Sequence, residues 1–278
     1  MPEDRGMHAS VLHFFKTFSF SSNMRFACLG SGSRGNGLVV EVANTRLLLD
    51  CGFTLKETVI RLMRLGLEPG MIDGIVVTHE HDDHVSGVAR FARKFGTPVW
   101  LTHGTLRSTR KAFALLPRVN IIEDYQRFSI GDIEVEPYPV PHDAQEPAQF
   151  VFGDGALRLG VLTDTGCSTP HIEAILRHCH ALVLECNHDA QMLANGNYPQ
   201  SLKRRVGGRL GHLENAASAN LLASLDCSRL QHVIAAHLSQ KNNTPLLAQT
   251  MLSGALNCEL DWIGVADQSD GFSWRQLF

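Results

Sequence analysis

The chain has 278 residues, enough for one large domain or two small ones. A hydrophobic fraction of 44% and a charged fraction of 19% exclude a disordered or fibrous polypeptide and allow a sizeable core. The formal net charge of −3 excludes a global field that recruits nucleic acid, so a polyanion would need a local cationic patch or a metal. Seven cysteines, an odd number with no CxxC pair, point to reduced thiols and a cytoplasmic setting. No apolar run reaches the length of a membrane span, so no membrane partner is expected; the oligomeric state is left open.

Residues 1–23 contain Val11-Leu12-His13-Phe14-Phe15, interrupted by Lys16. They are expected to form a poorly ordered extension, with a degenerate signal peptide as the alternative, and the folded domain to span residues 24–278. Arg25 to Leu29 reads as a strand, followed by a loop from Gly30 to Gly37 that contains a formal GxGxxG. A dinucleotide fingerprint needs a helix next. Leu38 to Val42 instead has a strand pattern, so the loop is read as a tight connection whose N–H groups, with Ser33 and Asn36, face a phosphate, or as a plain hairpin turn. Arg46 to Leu49 is a further strand, and Asp50 just beyond it is placed to cap a helix over Leu55 to Leu65.

The strand-like run Ile75-Val76-Val77 ends in Thr78-His79-Glu80-His81-Asp82-Asp83-His84. Imidazoles and carboxylates at this density suit a borderline divalent cation. In an extended segment His79 and His81 point the same way. A turn into a helix over Val85 to Phe91 then carries Asp83 and His84 to an adjacent position, so one segment starts two metal sites. Beyond it, strands are expected over Pro98 to Leu101, Asn120 to Glu123, Ile133 to Val140, Gln149 to Gly153, Leu157 to Leu162, Ala181 to Glu185 and His232 to Ala236, with a strand-like finish over Asp261 to Val265. Helices are expected over Leu106 to Leu115, Ser168 to His178, Glu214 to Leu225 and Pro245 to Gly254. Two strand-rich halves escorted by helices imply a sheet-on-sheet sandwich with helices outside.

Read as His-x-His-x-Asp-His, the hexad resembles the signature of the metallo-β-lactamase fold superfamily. The resemblance implies an α+β, four-layer αββα sandwich of two mixed sheets flanked by helices. It also requires a histidine, a carboxylate and a histidine after later strands, which Val140-Pro141-His142, Leu162-Thr163-Asp164 and Ala236-His237 supply. It assigns one cation to His79, His81 and His142, a second to Asp83, His84 and His237, and a bridging role to Asp164, with Asp50 supporting the site from behind. The implied cofactors are two divalent metal ions, zinc or manganese, with iron also acceptable. The implied nucleophile is a water shared by the two and deprotonated near neutral pH.

Asp164 stands where the true β-lactamases commonly carry cysteine, His81 where the oxygen-reducing diiron members carry glutamate, and the C-terminal region lacks the helical character of glyoxalase II-type thioesterases. The segments Glu185-Cys186-Asn187-His188-Asp189, Tyr198 to Arg205, Gly211-His212-Leu213-Glu214-Asn215 and His237 to Asn243 resemble the bacterial YycJ/WalJ-type branch; Glu214 stands where serine is usual there. That branch implies metal-dependent phosphodiester hydrolysis, including exonuclease action on DNA. Lys203, Arg204, Arg205 and Arg209 form a cationic run that is either a strand-guiding groove or a solvated face. Asp83 and His212 are the candidate catalytic residues, and Ser33, Asn36, His188, Arg204 and Arg205 the candidate substrate contacts. The expected function is a two-metal phosphodiesterase acting on DNA as an exonuclease. A hydrolase of cyclic nucleotide-like small diesters is the alternative, ahead of a thioesterase or a metal-binding regulator without turnover.

Overall fold

The computed structural model describes residues 23–116 and 118–278. The expected N-terminal extension, apart from Asn23, lies outside the described residues. From Met24 the chain forms β1 (Met24–Gly30), β2 (Gly37–Val42), β3 (Thr45–Leu49), α1 (Leu55–Arg64) and β4 (Gly74–Val76). Next come α2 (Asp82–Val85), α3 (Val88–Phe95), β5 (Val99–Leu101), α4 (His103–Phe113) and β6 (Val119–Ile121). The second half comprises β7 (Phe128–Ile130), β8 (Ile133–Pro139), β9 (Ala148–Gly153), β10 (Arg158–Leu162), α5 (Pro170–Leu176), β11 (Ala181–Glu185), α6 (Ala190–Asn195), α7 (Gln200–Val206) and α8 (Asn215–Ser224). It ends with β12 (His232–Ala236), α9 (Pro245–Leu256), β13 (Ile263–Val265) and β14 (Phe272–Leu277).

Two sheets result, each seven-stranded among the described residues, in the orders β14-β1-β2-β3-β4-β5-β6 and β13-β12-β11-β10-β9-β8-β7. The last strand crosses back to the first sheet and pairs antiparallel with β1, Met24 opposite Leu277. Between the sheets lies an apolar layer that includes Phe26, Val40, Leu47, Phe150, Phe152 and Val183. A second layer joins α5, α8 and α9 to one sheet, and a third joins α1, α3 and α4 to the other. The architecture is the expected αββα sandwich.

The hydrogen-bonding direction decides where chemistry can sit. Strands β3 to β6 are parallel, as are β10 to β13, so their C-terminal ends share one edge of each sheet. In sheets of this kind ligands gather outside the carboxyl ends of the strands. The hexad follows β4, and His142, Asp164 and His237 follow β8, β10 and β12.

Local structure departs from expectation at several points. The helix expected from Val85 begins earlier, because His81 takes an extended conformation as the N-cap of α2 and puts Asp82 and Asp83 in its first turn. Helix α1 is capped by Thr54, whose hydroxyl accepts from the Glu57 N–H, and not by Asp50. Helices α6 and α7 and strands β7 and β14 are present in addition to the expected elements. At the start of α8, Glu214 forfeits the side-chain cap that a serine there would make.

Truncating Phe150, which is fully buried between the sheets, removes packing from both. Phe150→Ala is expected to lower the unfolding free energy by about 3–5 kcal/mol, read as a lower urea midpoint at unchanged slope. Met63→Ala, at an exposed position, is expected to change it by no more than about 0.5 kcal/mol.

Candidate metal centre

The strand ends and the loop before α8 bring six imidazoles and three carboxylates together. Among the described residues, four groups have potential ligand atoms within 4.8 Å of one another: His79, His81 and His142; Asp83, His84 and His237; His79, His84 and Asp164; and Asp164, Glu185, His212 and His237. A divalent ion with bonds of about 2.0–2.2 Å to nitrogen and oxygen spans such separations with small side-chain adjustments. All seven residues expected as ligands are therefore gathered at one place.

Most of the imidazoles are held by one nitrogen, leaving the other free to face inward. Asp50 lies 2.7 Å from His84 Nδ1, while its carboxylate also accepts from the Thr78 N–H at 2.8 Å and the Thr78 hydroxyl at 2.9 Å. His142 Nδ1 donates to the Gly211 carbonyl at 3.0 Å. His79 Nδ1 lies 3.0 Å from the Thr78 hydroxyl. His212 Nδ1 meets Glu185 at 2.8 Å, and the same carboxylate lies 3.4 Å from His237 Nδ1. His81 is the exception in sense: its Nε2 meets the Asp143 carbonyl at 3.2 Å and its Nδ1 turns toward His142 Nε2.

Two inward atoms test whether the donor set fits a cation. Among the described residues His79 Nε2 is buried with no hydrogen-bond partner. Asp164 Oδ2 is 3.2 Å from His84 Nε2 but makes no hydrogen bond of acceptable geometry with any described residue. Orphaned buried polar atoms are costly and rare. A positive ion between them satisfies both, and mixed imidazole and carboxylate donors suit zinc, manganese or iron.

Electrostatics agree with this geometry. Burial alone would depress His237, but Asp164, Asp83 and Glu185 outweigh it and push its pKa up to about 10. His84 is raised for the same reason, by Asp164, Asp50 and Asp83. Burial opposes ionisation of Asp164, yet His237 and His84 hold it well below the usual carboxylate range, and His212 pulls Glu185 down to about 2 against a similar penalty. His79, with desolvation dominant, is depressed.

Three of the eight left-handed non-glycine residues among the described residues belong to this site. Asp50, Asp164 and His237 have φ of 59°, 51° and 55°, each within two residues of a strand end. Left-handed conformations of non-glycine residues cost about 1–3 kcal/mol each and persist only where the surroundings impose them.

A cleft of about 290 Å³ opens over the cluster, lined by Ser33, His81, Asp83, Asp164, Arg205 and His212 among others. Arg205, on α7, is exposed and pairs with Asp143 at 2.6 Å, while Arg204 beside it is exposed to solvent. Asn36 does not face the cleft. Its amide group donates to the Asp83 carbonyl and carboxylate, both at 3.2 Å, so it steadies α2 and the expectation of a substrate contact is replaced by a supporting one. His188 is likewise buried, with Nδ1 near Asn187 Oδ1, behind the segment that carries His212. Glu185 had no expected role, although it ends the apolar run Ala181-Leu182-Val183-Leu184 as the other site residues end theirs. Asp143 adjoins His142, and nothing in the sequence shows its side chain turning to His81 and Arg205.

Fold and cluster together define the metallo-β-lactamase class. The chain belongs to the β-lactamase superfamily, whose domain profile, described as Beta-lactamase superfamily domain, matches residues 45–237. Over 237 residues it is 35% identical to a Bacillus anthracis protein named Exodeoxyribonuclease YycJ, covering 84% of this chain and 89% of that one. It is 31% identical over 241 residues to Exodeoxyribonuclease WalJ of Streptococcus pneumoniae, covering 85% and 90%. The metallo-beta-lactamase fold protein YhfI from Bacillus subtilis superimposes with a TM-score of 0.72 at 12% identity, over 92% of this chain and 100% of that one, a likeness of fold.

The raised histidines give a sign for pH dependence. In the metal-free protein His237, with its pKa pushed up to about 10, holds a proton at neutral pH that a cation must displace, and His84 is shifted in the same direction. Their contribution to metal-free stability is full below the ordinary histidine pKa and is lost as pH rises, for His237 through about 10. The depressed carboxylates Asp164 and Glu185 act oppositely, losing theirs as pH falls below the ordinary carboxylate range. Calorimetric titration of metal-stripped protein with Zn²⁺ in buffers of different ionisation enthalpy is therefore expected to show net proton release, with affinity rising with pH. Heats that do not depend on the buffer would contradict this charge assignment.

Proposed function

We propose that the protein is a metal-dependent phosphodiesterase that shortens DNA from an end. The observation that carries the reading is that the orphaned His79 Nε2 and Asp164 Oδ2 belong to one group of close ligand atoms, beside a cleft that Asp164 and Arg205 both line. Similarity over most of the chain to proteins named exodeoxyribonucleases supports the choice of DNA. Seven cysteines without a disulfide favour a reducing compartment, and we place the protein in the cytoplasm. No helix among the described residues is long and apolar enough to cross a membrane.

In this reading His79, His81 and His142 would hold one divalent cation and Asp83, His84 and His237 a second, with Asp164 within reach of either group. Bound there, the pair would supply Lewis acidity at the phosphate and lower the pKa of an attacking water. The protein supplies position. Asp50 and Thr78 lock His84, the Gly211 carbonyl locks His142, and Glu185 locks His212. Arg204 and Arg205 hold backbone phosphates without reading bases. His212 is aimed across the cleft with its Nδ1 proton engaged by Glu185, so its Nε2 proton is the one available to the leaving oxygen.

The first test supplies manganese or zinc to metal-stripped protein with end-labelled linear DNA or bis(p-nitrophenyl) phosphate, beside an Asp164→Ala control. Metal-restored shortening of DNA from one end, lost in Asp164→Ala, is the expected result. Cleavage of the small diester with DNA left intact would move the function to small-molecule hydrolysis, and inactivity on both would sink the phosphodiesterase reading.

The general-acid role has its own test. His212→Ala is expected to slow DNA cleavage by about 10²–10⁴-fold, because a sugar alkoxide leaves poorly without a proton. Bis(p-nitrophenyl) phosphate, whose phenolate leaves without help, should lose far less. Equal losses on the two substrates would assign His212 to positioning.

A further inference from the structure

We propose that the exposed basic face of α4 binds the phosphate backbone of the DNA strand whose end lies in the cleft, on the flank of the hexad opposite α7. This rests on the nuclease reading above and gives the strand a path.

Neighbouring residues of an extended segment point to opposite sides, and the hexad does this at Glu80 and His81. His81 turns to Asp143, which holds Arg205 of α7 at 2.6 Å. Glu80 turns the other way, accepting from the Gln145 N–H at 2.7 Å and the Ser108 hydroxyl of α4 at 3.5 Å. The segment from His142 to Pro147 ties the two flanks together. Its Asp143 serves the α7 side, and its Glu146 accepts from the Gly104 N–H in the first turn of α4 at 2.6 Å and, through its carbonyl, from the Thr102 hydroxyl at 2.8 Å. Helices α7 and α4 are thus anchored on either side of one loop.

A second cleft, of about 620 Å³, runs from Glu80 and Asp82 along α4 to Phe113. Asp82 lines this cleft and the one above the ligand cluster, so the two adjoin at that residue. Arg107, Arg110 and Lys111 stand along it, exposed. Their i, i+3, i+4 spacing puts them on one helix face. None forms an ion pair with a carboxylate among the described residues, and one oxygen of Glu80, which shares the cleft, is already committed to Gln145 and Ser108.

Charge and reach select the occupant. With a net charge of −3 the chain has no diffuse attraction for polyanions, so unpaired cations gathered along a groove act locally. A diester small enough to stay within the 290 Å³ cleft leaves α4 untouched. A polynucleotide with its end at the cluster continues past Asp82 and meets three cations spread over about one helical turn.

The test uses a fluorescent, phosphorothioate-linked oligonucleotide, which resists cleavage, and the full-length protein with its metals. Anisotropy gives the Kd between about 50 and 200 mM salt. The double variant Arg107→Gln/Arg110→Gln is compared with Arg177→Gln/Arg229→Gln, which removes the same charge at exposed positions near the opposite ends of the strands. The α4 variant is expected to weaken binding about tenfold and to reduce the slope of log K against log salt by about 1.4, two single-strand phosphate contacts' worth. Its hydrolysis of bis(p-nitrophenyl) phosphate should stay within about twofold of wild type, since no α4 cation touches the ligand cluster.

A Kd and slope equal to those of the control pair would overturn the path, as would an equal loss on the small diester. If wild type binds the oligonucleotide through α4 but never shortens DNA, the nuclease reading falls and the path stands. If it hydrolyses the small diester without binding the oligonucleotide, the path falls and small-diester hydrolysis remains.

Discussion

Asp164 is a buried carboxylate with four imidazoles around it, and the edge of the sandwich is arranged to make that tolerable. His84, His212 and His237 approach it at 3.2, 3.5 and 3.5 Å, and His142 at 4.0 Å. A carboxylate taken out of water costs several kcal/mol unless charge or hydrogen bonds replace the solvent. Here positive charge replaces it, on the imidazoles or on a cation held between them. The imidazoles must then stay in place, which explains the outer layer of partners. Asp50, Glu185 and the Gly211 carbonyl fix rings whose inner nitrogens would otherwise be free to rotate away from Asp164.

Parallel pairing delivers these groups without long excursions of chain. Strands β10, β11 and β12 are adjacent and parallel, and from their ends come Asp164, Glu185 and His237 in the same order. Beneath them, β3 and β4 deliver Asp50 and the hexad. Each chain must turn sharply on leaving its strand to aim a short side chain at the shared centre, and the left-handed backbone at Asp50, Asp164 and His237 records that turn. The strain is held by interlayer packing, Phe150 and Phe152 of one sheet against Phe26 and Val40 of the other.

Much of this was legible because one rule repeats: a polar residue that ends an apolar run lies at a strand end, and strand ends meet. The rule fits Asp50, the hexad, His142, Asp164 and His237, which the family resemblance picks out, and it fits Glu185 equally. What the sequence could not show was direction. Asn36 and His188 sit in segments near the site but point into the protein, a matter of side-chain rotation that spacing does not encode. Strand β14 escaped notice because it is half-exposed along much of its length and follows a turn, so its partner β1 lies almost a whole chain away. Helix α7 was visible as charge and not as helix, since its apolar positions are few and none is buried.

The glycine-rich loop shows how a motif can be real while its usual meaning is not. Gly30 to Gly37 carries the spacing of a dinucleotide fingerprint, yet its backbone is occupied inside the protein. The Asn36 N–H donates to the Asp83 carbonyl at 2.8 Å, the Gly52 N–H donates to the Asn36 carbonyl at 3.0 Å, and the Cys51 N–H donates to the His84 carbonyl at 2.9 Å. Three chain segments are stitched together there, and a Cβ on Gly52 would lie 1.7 Å from the Asp83 carbonyl oxygen. The glycine at position 52 is thus required by close approach of backbone to backbone, and the loop's Asn36 completes the contact. In this fold those backbone groups are aimed at α2, and they set the height at which Asp83 and His84 meet His237.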